Sequence, residues 1–183
     1  MVAAAMALVV PATAQKVNDA AILAKLNKSD VEAADAKKSA KASVWVNRAK
    51  VYTDALMEPT KSLSTSLDAT FLNYTMGTPS ETSTDDKGRQ LLIYPWVKVY
   101  VENNRVAAWD QTKVIKDGLF EVIVEAAAKA IELDEKTVAK VKPILDTAIN
   151  YYSQLGEVST YIPNFEVAID AFVKAATLQQ SKI

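Results

Sequence analysis

The sequence predicts an all-α chain, on three observations. Half of its 183 residues are apolar and only 23% are charged, a balance that favours one packed core over a disordered chain. Glycine occurs only 4 times, which suits helices joined by short turns and suits sandwiches or barrels poorly. Apolar residues also recur at three- and four-residue spacing along much of the chain, the period of a helix that buries one face.

The first element reads as an export signal. Residues 1–14 run MVAAAMALVVPATA. Their apolar stretch, about nine residues, matches a signal segment and is too short to span a bilayer. Pro11 breaks it, and Ala12-Thr13-Ala14 supplies a small-x-small cleavage pattern. Cleavage is expected near Ala14 and Gln15, leaving residues 15–183 as a single helical domain that is periplasmic or secreted. Cysteine is absent, so there is no thiol to acylate and the chain is not expected to be a lipoprotein.

Further along, residues 18–26 have roughly helical spacing, and Asn27 interrupts them. Ser29-Asp30 offers a cap for a second short helix over 31–41, with acidic residues early and lysines late, as the helix dipole prefers. Residues 42–56 carry Val44, Trp45, Ala49, Tyr52 and Leu56 on one stripe, ended before Pro59. Residues 63–74 are expected to be helical, while 75–90, rich in Gly, Pro, Ser, Thr and Asp, read as a flexible polar loop. Residues 91–101 have strand-like composition in helical surroundings; Pro95 tips the expectation toward a helix starting there. Residues 105–116 are expected to be helical, then 119–133, with Phe120, Ile123, Ala127, Ala130 and Ile131 inward. A long helix over 135–155 and a last one over 165–178 follow. The last is expected to bury Phe165, Ala168, Ile169, Phe172, Ala175 and Ala176.

Composition also bounds the chemistry. The formal charge is −1 and no basic stripe is visible, so no nucleic-acid partner is expected. Histidine and cysteine are both missing. Their absence excludes Cys and Ser–His nucleophiles, ordinary zinc sites, His-ligated haem and disulfides, and no cofactor is expected. Asp85 and Asp86 near Glu81 lack the alternate spacing of a calcium loop. Glu121 and Glu125, one turn apart, read as a solvated helix face.

Two segments align without gaps. Gly118-Leu119-Phe120-Glu121 leads through Ile123, Ala127 and Ala130 to Ile131-Glu132-Leu133-Asp134; Asn164-Phe165-Glu166 leads through Ala168, Phe172 and Ala175 to Leu178. Both resemble the second helix of a tetratricopeptide (TPR) repeat. Trp45-x-x-Arg48-Ala49-x-x-Tyr52 resembles the first helix, and Ala148-x-x-Tyr151 is a fainter copy. The resemblance covers about two-thirds of the mature chain. The signal and the Lys/Ala/Asp helices after it are also similar to secreted TPR-type proteins of Bacteroidetes.

The resemblance implies an array of about three antiparallel helix pairs, with an irregular insertion in the first half. It also implies a non-catalytic scaffold of the cell envelope whose first helices line a groove for a protein or peptide. The implied groove residues are Asn47, Lys50 and Thr53 on one helix and Lys142, Ile149 and Tyr152 on the other. The alternative is a glycan- or small-ligand-binding module that uses the aromatics Tyr94, Trp96, Tyr100 and Trp109.

Overall fold

The structure is a computed structural model that describes residues 17–181; the expected signal, residues 1–14, and its cleavage point lie outside the described residues. The all-α expectation fails. Among the described residues, seven α-helices accompany a four-stranded antiparallel sheet, so the fold is mixed.

Helix α1 (Asp19–Ala34) starts at Asn18, whose side chain accepts a hydrogen bond from the Ala21 amide. It runs straight through Asn27. The propensity penalty of one asparagine, below about 0.7 kcal/mol, does not stop a helix that packs on a neighbour. The break comes at Asp35, whose carboxylate accepts from the Lys37 and Lys38 amides and starts the single turn α2 (Ala36–Ser39). Helix α3 (Ala42–Met57) follows, with Trp45, Ala49, Tyr52 and Leu56 buried as its stripe predicts. The expected helix over 63–74 shrinks to a 3₁₀ turn, Ala69–Phe71, and one turn of α4 (Leu72–Thr75).

Strands then replace the expected loop and two expected helices. They are β1 (Glu81–Thr84), β2 (Gln90–Ile93), β3 (Val97–Glu102) and β4 (Arg105–Gln111), paired in sequence order. Val97, Val99 and Val101 alternate inward along β3, the two-residue period of a half-buried strand. The turns explain the rest. Pro95 lies in the tight β2–β3 turn, closed by Tyr94 N–H donating to the Val97 carbonyl at 2.9 Å. Asn103 and Asn104 both take positive φ (49° and 60°) between β3 and β4, as the type I′ hairpin turn requires. Gly88, at φ +77°, closes the β1–β2 turn.

Helix α5 (Leu119–Leu133) packs along α3, then α6 (Val138–Tyr161) follows, and α7 (Phe165–Gln180) packs along α6. None of the described helices is long and apolar enough to cross a membrane. There are two cores. One lies among α1, α3, α5, α6 and α7; the other joins the inner sheet face to Leu63, Leu72, Met76 and Val158. Leu155 packs against both, so α6 is the spine that joins the helical half to the sheet half.

The α7 stripe is also corrected. Small residues make its contact: Ala168, Ala171 and Ala175 are buried, whereas Phe165, Ile169 and Ala176 are exposed. Phe172 is 45% exposed, its ring lying over Gly156, where a Cβ would meet it at 2.6 Å. Because α7 has one main neighbour, its bulky residues find nothing on the far side to bury against. Phe172→Ala is therefore expected to cost about 1 kcal/mol, below the range for a fully buried aromatic; urea unfolding of the variant measures it.

Candidate binding groove

Two helices that are distant in sequence, α3 and α6, lie side by side. Val46, Asn47, Lys50, Thr53 and Asp54 share one stripe of α3, since residues three and four apart stack on a helix. Lys140, Pro143, Ile144 and Thr147 share the corresponding stripe of α6. Between them lie two adjoining hollows of ≈ 350 and ≈ 500 Å³ that have Val46, Lys50 and Lys140 in common. Asp134 and Thr137, from the turn before α6, close one end.

The floor is apolar and the rim is charged. Val46, Pro143 and Ile144 supply hydrocarbon that the helical core does not fully cover. Lys50 bonds Asp54 at 2.6 Å, but both side chains are about 60% exposed, so the pair is weak and exchangeable. Among the described residues no carboxylate pairs with Lys140. The groove thus offers an apolar seat rimmed by two lysines, Lys50 and Lys140, and two aspartates, Asp54 and Asp134.

Three of the six residues implied by the resemblance meet here: Asn47, Lys50 and Thr53 line the hollows. The other three do not. Lys142 faces away and approaches Asp146 at 3.7 Å. Ile149 and Tyr152 are buried in the helical core, where the Tyr152 ring meets Phe120 and Tyr151 edge-on at 5.6 and 5.1 Å. Placing α6 by its Tyr151 motif chose the wrong phase of that helix. Lys140 and Ile144, which line the groove, carry no local sequence signal, because only the tertiary position of α3 exposes them as a pair.

Of the four insertion aromatics, Tyr94 and Trp109 are buried in the sheet core. Tyr100 is covered by the Arg89 guanidinium, 4.9 Å from its ring centre, and the Lys113 ammonium lies 5.8 Å from that of the partly buried Trp96. All four belong to the sheet core or pack against it.

The densest polar cluster sits elsewhere, at the junction of α1, α3 and the β4–α5 connection. Asp30 accepts from Arg48 at 2.7 Å, from Lys116 at 2.8 Å and from the Tyr52 hydroxyl. Burial pushes the Asp30 carboxyl up, but the hydrogen bonds from Lys116, Tyr52 and Arg48 outweigh it and bring its pKa from 3.8 to about 2. Its hydrogen bond to Asp30 holds Lys116 above the ordinary lysine value, and burial, reinforced by Asp30, raises Tyr52. At neutral pH all three are therefore fixed in one protonation state, and the cluster acts as a clasp.

A carboxylate whose folded pKa is depressed stabilises fully above its ordinary value and loses that contribution as pH falls through the folded value. The clasp is thus at full strength above pH about 4 and fades toward pH about 2. Its side chain is 35% exposed, so solvent screening reduces the linkage to about 1 kcal/mol. Urea midpoints compared across this range should fall less in Asp30→Asn than in the parent chain.

Two buried hydroxyls, on Thr53 and Tyr94, have no hydrogen-bond partner among the described residues. A buried polar group left unpaired costs about 1–3 kcal/mol. Thr53→Val and Tyr94→Phe are accordingly expected to leave the melting temperature unchanged or raise it; a fall of several degrees in either would show that the hydroxyl is bonded.

Comparison with known protein families, with curated proteins and with solved structures finds no match.

Proposed function

We propose that this chain is a non-catalytic scaffold of the bacterial cell envelope that binds a partner protein in the α3–α6 groove. The observation that carries the reading is the groove itself, an open apolar seat with Lys50 and Lys140 on its rim. Lys140, which no carboxylate pairs among the described residues, selects the occupant: a segment with an apolar anchor and a carboxylate beside it, held by hydrophobic burial and steered by charge. The resemblance of Trp45-x-x-Arg48-Ala49-x-x-Tyr52 to the first helix of a TPR repeat supports it, since the first helices line the groove in that family and α3 is the helix that carries this pattern. Residues 1–14 support the envelope location. The non-catalytic part rests on the absence of histidine and cysteine and on a polar cluster locked in its charged state.

The test is a displayed library of random peptides panned on the purified chain. Acidic peptides with a central apolar residue should be enriched. Lys140→Glu, at an exposed position, and Val46→Asp, at a half-buried one, should each weaken their binding by at least about tenfold, as removal of a central contact does. Enriched peptides that bind both variants as tightly as the parent would sink the proposal.

A further inference from the structure

Helix α7 carries a second apolar surface, distinct from the α3–α6 groove. Its inner face is small: Ala168, Ala171, Ala175 and Leu178 are buried, with α6 as the main neighbour. Its outer face is large. Phe165, Ile169, Phe172 and Val173 are 60%, 65%, 45% and 58% exposed, and Ala176 is exposed in line with them. Single exposed apolar residues are ordinary, but a contiguous stripe of them marks a surface that something covers. Phe165, Ile169, Phe172 and Ala176 follow one another at steps of four, three and four, the alternation by which one helix seats along another. No charged residue falls on that line.

The spacing is self-complementary. Two antiparallel copies of α7, related by a two-fold axis between Asp170 and Ala171, set Phe165 of each against Ala176 of the other and Ile169 against Phe172, so that each ring meets a smaller side chain. This orientation also opposes the helix dipoles and puts the two Glu166 carboxylates at opposite ends. The area suffices. Large side chains present about 150–250 Å² each, so at these exposures the stripe leaves roughly 500 Å² open; two copies with their rims bury about 1,000 Å², the lower bound for a specific interface. A membrane surface fits less well, because a helix lying on anionic lipid flanks its apolar face with lysines. The flanking charges here are Glu166 and Asp170, and Lys174 is held by Asp170 at 2.8 Å while lying over the Phe120 and Tyr152 rings.

We propose that the outer face of α7 is covered by a second copy of this chain, in an antiparallel α7–α7 pair. The surface is separate from the α3–α6 groove and does not depend on its function. Sedimentation equilibrium, run from micromolar to near-millimolar concentration, should show a monomer–dimer equilibrium. Phe165→Glu and Ile169→Lys, both at exposed positions, should each weaken it at least about tenfold while the melting temperature holds, and Lys140→Glu should leave it unchanged. Orientation is read by cross-linking, since the chain has no cysteine of its own. Phe165→Cys and Ala176→Cys, mixed and oxidised, should form the mixed disulfide dimer, and neither should cross-link efficiently with itself. A monomer at every concentration would overturn the proposal and leave the face to another occupant, as would a dimer that survives both charged variants. Cross-links favouring like with like would also overturn it.

Discussion

Tyr52→Ala is expected to destabilise the chain by about 4 kcal/mol, the middle of the range for a buried aromatic. Tyr52 is 1% exposed and among the largest fully buried side chains. Its loss opens a cavity in the helical core and also takes one donor from Asp30. Tyr52→Phe separates the two contributions. The ring stays, Asp30 keeps Arg48 and Lys116, and the expected cost falls to about 1–2 kcal/mol for the lost hydrogen bonds to charged groups. Urea unfolding of both variants reads the difference. A Phe variant as unstable as the Ala variant would mean that the clasp, and not the packing, holds this corner; an Ala variant within 1 kcal/mol of the parent, far below the buried-aromatic range, would mean that the stripe on α3 is misassigned.

Trp109→Ala is expected to cost about 3–5 kcal/mol, but in the other core. The residue is 3% exposed, pairs with Val99 across β3–β4 and packs in the sheet cluster. That cluster meets the helical core along α6, where Leu155 touches both. The loss should therefore be uneven. Amide hydrogen exchange is expected to speed up first in β3 and β4 and in the last turns of α6, while α3 and α5 keep most of their protection, as for a locally cooperative unit. Uniform acceleration through both halves would show that the two cores unfold as one.

The helical half was legible because its information is local. Trp45, Ala49 and Tyr52 repeat at helical spacing, and Gly118 marks the start of α5 at φ +74°. The strands were legible too, but as hairpins. Asn103-Asn104 between apolar runs and the Val97-x-Val99-x-Val101 alternation are strong signals once turns are weighed ahead of surroundings. Reading Pro95 as a first helical turn obscured them, because proline serves equally well in a β-turn. Length misled as well: β1, β2 and β4 have four, four and seven residues, too short for periodicity alone to separate strand from helix. The groove was half-legible. The outward stripe of α3 follows from its inward one, so Asn47, Lys50 and Thr53 were recoverable. The stripe of α6 required the packing of α3 against it, which is a tertiary fact.

The groove is tested most directly by mapping where a bound segment sits. An acidic peptide enriched from the displayed library, titrated into the labelled chain, should shift the amides of Val46, Asn47, Lys50, Lys140 and Ile144 as one set, and Lys140→Glu should abolish those shifts. Shifts confined to the exposed face of α7 around Phe165, Ile169 and Val173, or unchanged by Lys140→Glu, would contradict the assignment of α3 and α6 as the binding surface.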